Sequence, residues 1–225
     1  MIVSFLVALL TPEAPYEAPY LAKTPPVNAE AGKHPRYQDC IRLVARDLEI
    51  GRIAAQQWTD EGGGALAEHC LAIADIAAGF PKLGAARLAQ ISDRKDAGDN
   101  NARARVLAQA ALAWLDGHET EYAKEAINSA VQYAPELGEI YVVAARVFEA
   151  AEEWENAAAS VTKAADEKLA TADTFLIRAR AHRALGKDYA AAEDVVTALS
   201  IDPFNLDALV MRGELKQAGI EIEAY

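Results

Sequence analysis

The fold is decided by three consecutive stretches of 34 residues, ARVLAQAALAWLDGHETEYAKEAINSAVQYAPEL (104–137), GEIYVVAARVFEAAEEWENAAASVTKAADEKLAT (138–171) and ADTFLIRARAHRALGKDYAAAEDVVTALSIDPFN (172–205), which align without a gap. Small residues recur in three columns, namely Ala111, Ala145, Ala179 and Gly213; Ala123, Ala157 and Ala191; and Ala130, Ala164 and Ala198. A period of this length, with small residues where helices cross, predicts a helical hairpin in each stretch, whose faces are buried by its neighbours.

Large side chains flank the small columns in fixed register. They are Leu107, Tyr141, Phe175 and Leu209 four residues before the first column, and Trp114, Phe148 and His182 three residues after it. These columns resemble the tetratricopeptide repeat (TPR) over about residues 104–217. Two positions depart from the TPR pattern. Leu169 stands where the pattern has a proline, and Tyr189 lies one residue after the position of the usual aromatic residue that follows the turn between the helices. The resemblance implies an all-α, right-handed α-solenoid of stacked hairpins with a C-terminal capping helix.

The rest of the chain is organised around this regular array. Residues 36–92 predict two atypical TPR-like hairpins with Trp58 as a core anchor, the second of them out of register by about five residues. Residues 93–103 predict a polar linker loop, residues 104–217 three regular units plus the capping helix, and residues 218–225 a tail. Gly117 and Gly186 are expected to provide the left-handed residue that ends a helix.

The first 35 residues differ from everything that follows. Residues 2–10 form an apolar run too short to span a bilayer, but of the length found in secretory signals. No Lys or Arg precedes it, and no clean cleavage site follows. Residues 11–35 hold six of the nine prolines, which favours an extended tether. We therefore expect a periplasmic or exported protein, with a cytoplasmic location as the alternative.

The chain contains two cysteines, Cys40 and Cys70. Each falls on the predicted first helix of consecutive hairpins, and such helices lie side by side, so a disulfide between them is geometrically feasible. The alternative is that both are buried thiols. The order of Cys, Trp, triple glycine and His-Cys in this half resembles uncharacterised TPR proteins of alphaproteobacteria, which implies a bacterial origin rather than an activity.

Composition and motifs argue against several functions. Alanine accounts for about 50 of 225 residues, which favours helix. The net charge of −12 repels nucleic acid. The chain lacks a catalytic or metal-binding signature, since Tyr122 stands where a zinc-protease helix starting at His118 would need histidine. Adjacent His69 and Cys70 suit shared metal ligation poorly. We expect no enzyme activity and no cofactor.

In stacked hairpins the first helices line the concave face, which is the expected partner-binding groove. The candidate residues there are Gln109, Leu112, Val142, Arg146, Glu149, Leu176, Arg180 and Arg183. Arg146 and Arg180 lie on adjacent repeats, an arrangement suited to a carboxylate or an acidic peptide. The alternative is that these arginines pair with Glu149, Asp173 and other local acids. The positions of the carboxylate clamp of chaperone-binding TPR proteins hold apolar residues here (Ala108, Leu112, Val143 and Ile177).

These patterns predict a non-enzymatic scaffold or adaptor that binds a protein or peptide in its groove, in a setting such as bacterial envelope assembly. The alternative function is an accessory or regulatory subunit that forms a homodimer through its terminal helices, using the exposed face of residues 204–217 and no groove ligand.

Overall fold

The computed structural model describes residues 31–220 and Ile222. Eleven α-helices and a short 3-10 turn (Ala31–Lys33) make up this part of the chain, which contains no β-strand. The helices are α1 (Pro35–Arg46), α2 (Leu48–Asp60), α3 (Gly64–Ala77), α4 (Pro81–Ser92), α5 (Asn100–Asp116), α6 (Thr120–Tyr133), α7 (Gly138–Ala150), α8 (Trp154–Asp166), α9 (Ala172–Ala184), α10 (Asp188–Ile201) and α11 (Leu206–Gln217). The apolar run and most of the proline-rich segment lie outside the described residues. Pro35 is the first residue of α1, a position that favours proline.

The helices pack as five hairpins followed by a terminal helix. Each helix contacts the next along the chain, and first helices of neighbouring units also touch, α1 with α3, α5 with α7 and α7 with α9. Neighbouring second helices contact one another little or not at all. The first helices therefore form the closely spaced inner layer of an all-α solenoid, and the second helices form the outer layer.

The small columns lie where the helices cross. All nine alanines of the three columns are fully buried. Gly213, which continues the first column into α11, differs, because a Cβ atom there would meet nothing within 4 Å. Within the described residues no second helix follows α11, and this position of the column is open.

The prediction for one of the two turn glycines is wrong. Gly117 has a φ of −82°, so it does not provide the left-handed position; the next residue, His118, does so with a φ of 59°. Glu152 (φ 57°) and Gly186 (φ 71°) hold the same position in the next two units. Gly117 lies close to another unit instead, since a Cβ there would come within 2.8 Å of Cγ of Lys82, whose side chain would have to shift.

Two segments predicted as irregular are partly ordered. The loop expected at residues 93–103 is shorter, because Asp99 caps α5 by accepting a hydrogen bond from the Ala102 amide (2.8 Å) and the helix begins at Asn100. In the segment predicted as a tail, Ile220 and Ile222 pack against a core cluster formed by α9, α10 and α11. Among the described residues, no helix is both long and apolar enough to cross a bilayer.

Candidate functional site

The inner layer places the predicted groove residues in two groups. The side chains of Leu112, Arg146, Glu149, Arg180 and Arg183 are at least partly exposed, as is that of Val142. Gln109 and Leu176 are buried, with 5% and 2% of their surfaces exposed. These two residues belong to the core and offer no surface to a partner. On a helix a shift of one residue turns a side chain by about 100°, so a residue next to a groove position can face the core.

Two arginines of the groove are already paired with acids from neighbouring units. Arg180 on α9 donates from Nε to Glu149 Oε1 on α7, and Arg183 on α9 donates to Glu214 on α11. The acid Asp173 is not part of this set, since its carboxylate accepts a hydrogen bond from Asn205. The groove is therefore a charge-balanced surface rather than a purely basic one, and its ion pairs bridge consecutive first helices.

Arg146 differs from the other two groove arginines. It is exposed and makes no ion pair within the described part of the chain. The acid it influences is Asp116, at the end of α5: burial raises the pKa of that carboxyl, and the charge of Arg146 partly opposes the rise. Arg146 is thus a groove cation available to an incoming carboxylate.

The C-terminal end of the groove forms a concavity of about 490 Å³. Its lining consists of Arg180, Arg183, Ala184, Asp207, Val210, Met211 and Glu214. Both signs of charge and three apolar side chains converge here, a composition that suits a peptide with mixed character. No group of histidine, cysteine and acidic residues able to hold a metal ion occurs in the described residues.

A second polar feature lies at the N-terminal end and is wholly buried. His69 on α3 is fully buried, and its Nε2 lies 2.6 Å from Gln109 Oε1. Because that oxygen only accepts, Nε2 carries the proton, and the Tyr37 hydroxyl donates to Nδ1 (2.9 Å). Burial lowers the pKa of His69 to about 4. Each polar atom of this chain of hydrogen bonds is satisfied, so His69 has a structural role.

The structure joins Cys40 on α1 to Cys70 on α3 in a disulfide, with the two Cα atoms 6.4 Å apart. The linked positions are separated by 30 residues in sequence, and Cys70 directly follows His69. The N-terminal hairpins are therefore tied together both by a covalent bond and by buried hydrogen bonds.

Two buried carboxylates were missed by sequence reasoning. Asp75 on α3 accepts from Arg52 Nε (2.7 Å) and Arg87 Nε (2.8 Å). Asp194 on α10 accepts from Arg178 Nε (2.9 Å) and contacts His182 Nδ1 (2.9 Å). An acid amid apolar residues on a helix is the one signal that could have found them. Both bind side chains of adjacent helices and lie outside the groove.

The triple glycine at the start of α3 (62–64) does not form an open anion site. The Ala65 amide at the start of α3 donates to Asp96 Oδ2 (2.9 Å), and Arg94 binds the same carboxylate. These hydrogen bonds hold the pKa of Asp96 down at about 2. The polar loop after α4 thus supplies the anion that the N-terminus of α3 favours.

Comparison with solved structures places this architecture among TPR proteins. YrrB, described as a TPR protein with an unusual peptide-binding site, superposes with a TM-score of 0.64 and 13% identity, over 83% of this chain and 99% of its own. TTC0263 of Thermus thermophilus, a thermophilic TPR protein, superposes with a TM-score of 0.53 and 16% identity, over 81% of this chain and 97% of its own. At these identities the likeness shows that the chain has the TPR fold. No protein-family model matches the sequence, and no curated protein matches it.

Proposed function

We propose that this protein is a non-enzymatic scaffold that binds a peptide or protein segment along the inner face of its helices. The observation that carries the proposal is Arg146, an exposed groove cation without an ion-pair partner in the described chain, next to the paired Arg180. A guanidinium binds a carboxylate through two parallel hydrogen bonds. The ligand is therefore a segment with an acidic side chain or a free C-terminal carboxylate. The peptide-binding site of YrrB adds support from a protein of the same fold.

The experiment is a crosslinking pull-down from the native host with the wild-type chain and with Arg146→Glu combined with Arg180→Glu. We expect the double variant to lose the partner while its helical content, measured by circular dichroism, stays unchanged. Arg46→Glu with Lys187→Glu is the matched control, because both residues are exposed and the change in net charge is the same. Equal recovery of the partner by the groove variant would refute the groove assignment.

We further propose that the protein acts outside the cytoplasm, in an envelope assembly. The Cys40–Cys70 disulfide supports this, because disulfides persist in oxidising compartments. Because both cysteines are buried, the location is tested by alkylation with a maleimide of high mass in denatured extracts of acid-quenched cells, before and after reduction. We expect both cysteines to be alkylated only after reduction. Alkylation without reduction would favour the cytoplasm.

A homodimer is the second candidate function, favoured by the apolar surface at the C-terminal end. Phe204 is 89% exposed and Leu206 71% exposed, next to the open side of α11. Light scattering coupled to size exclusion separates the two functions. A stable dimer that Phe204→Ser with Leu206→Ser converts to a monomer would favour self-association, and a monomeric wild type would exclude it. These substitutions are preferable to removing α11, whose residues Ala208 and Leu215 are buried.

A further inference from the structure

A second cleft opens on the outer layer, away from the groove. It lies between α4 and α6, over α5, and has a volume of about 600 Å³. Its lining residues are Ala89, Ser92, Asp93, Leu107, Trp114, Tyr122, Glu125, Ala126, Ser129, Gln132 and Tyr133. The α4–α6 cleft is located where the out-of-register hairpin meets the regular array, so the two outer helices flank an opening.

One end of the α4–α6 cleft carries a stacked aromatic pair beside a carboxylate. The rings of Trp114 and Tyr122 lie 4.9 Å apart with 28° between their planes, and Tyr122 is 53% exposed. Glu125 follows Tyr122 by three residues on the same face of α6. Glu125 and Asp93 are exposed, and within the described chain neither forms an ion pair.

In the next two units, cations of the chain itself lie over the aromatic rings at the positions that align with Leu107. Leu107, in the floor of the cleft, aligns with Tyr141 and Phe175. Lys163 Nζ lies 4.4 Å from the centroid of the Tyr141 ring, and the Arg178 guanidinium lies 5.2 Å from that of Phe175. Among the described residues, no cation lies over Trp114 or Tyr122, whereas at Tyr133 the Arg103 guanidinium lies 6.0 Å from the ring centroid. The Trp114–Tyr122 part of the α4–α6 cleft therefore combines aromatic rings and negative charge without a cation of the chain itself.

We propose that the α4–α6 cleft binds an arginine side chain presented by a partner protein. A planar guanidinium stacks on an aromatic face and pairs with a carboxylate at the same time. Lysine has a compact, strongly hydrated charge and fits this combination less well. The α4–α6 cleft is thus a basic-residue site on the outer face, distinct in position and in charge preference from the groove of the inner face.

The test is fluorescence anisotropy with a fluorescein-labelled, end-capped peptide of alternating arginine and serine, added to the full chain at physiological ionic strength. Two matched peptides carry lysine or glutamate in place of arginine. Salt at this level limits charge attraction to about 8 Å, so the overall negative charge contributes little. We expect saturable binding of the arginine peptide and severalfold weaker binding of the lysine peptide. The glutamate peptide suits the inner groove instead, so Tyr122→Ala should leave its binding unchanged.

Variants locate the site. Tyr122→Ala is expected to weaken arginine-peptide binding about tenfold, as is Asp93→Asn combined with Glu125→Gln. The matched control is Glu155→Gln with Asp166→Asn, which removes the same charge from exposed positions on α8 and should leave the affinity unchanged. If Tyr122→Ala does not fold, Glu125→Gln alone tests the site, since it changes only an exposed group. The proposal would be overturned if the control variant weakened arginine-peptide binding as much as the cleft variants do. It would also be overturned if the wild type showed no saturable binding.

Discussion

The hairpins of α1 to α4 and the array of α5 to α11 solve the same packing problem by different means. In the array, all nine alanines of the three small columns are fully buried, and the units repeat at 34 residues. In the N-terminal hairpins the period is broken, and the helices are joined by the Cys40–Cys70 disulfide, the hydrogen bonds of His69 and the bonds of Asp75 to two arginines. A regular stack sets its own register through side-chain size, whereas an irregular one requires contacts specific to each pair of helices.

The largest effect is expected from removing the disulfide. Cys40→Ala with Cys70→Ala should cost about 3–4 kcal/mol in the free energy of unfolding, the value for a closed loop of this length. Because repeat proteins lose stability locally, the loss should appear in a first urea transition of the N-terminal hairpins. Reductant should reproduce it in the wild type and have no effect on the variant. A shift of the transition of the whole chain would contradict the comparison.

Acid should weaken the N-terminal hairpins through His69. The pKa of His69 is about 4 in the folded chain and about 6.5 in the unfolded chain, so only the unfolded state binds the proton between these values. Stability is therefore complete above pH 6.5 and falls as the pH decreases to 4, by roughly 3 kcal/mol. Urea titrations at several pH values should show this slope in the wild type. If His69→Gln shows the same slope as the wild type, His69 is not its source.

In the array, side-chain size should matter where the stack is closed and not where it is open. Ala145→Leu is expected to cost roughly 1–3 kcal/mol, because the fully buried site has no room for the larger side chain. Gly213→Ala in the same column is the control, since nothing lies within 4 Å of the added carbon, and it should stabilise α11 by up to about 1 kcal/mol. Thermal unfolding measures both changes. Equal destabilisation by the two substitutions would show that α11 is covered after all.

The smallest effects are expected at the left-handed turn position. Gly186→Ala should cost about 1 kcal/mol, because a side chain is disfavoured at a φ of 71°. Glu152→Gly, at the equivalent position of the preceding unit, should gain up to a similar amount. Chemical denaturation measures both. A gain for Gly186→Ala would mean that this turn does not hold the left-handed conformation.

Sequence periodicity was sufficient for the fold. Each of the three 34-residue stretches corresponds to one observed helical hairpin, and the predicted capping segment 204–217 contains α11, because apolar period and turn residues are local signals. Gly117 shows the limit: its neighbour His118 holds the left-handed turn, while the glycine lies close to Lys82 of another unit. The groove was predicted less well. Gln109 was assigned to its surface but bonds His69, forty positions away, a contact that no local pattern encodes.

Hydrogen exchange measured by mass spectrometry, with and without reductant, tests most directly whether the two regions are held together differently. The account predicts that reduction speeds amide exchange in α1 and α2 and leaves α7 to α10 protected. Uniform loss of protection across all hairpins, or none in α1 and α2, would contradict it.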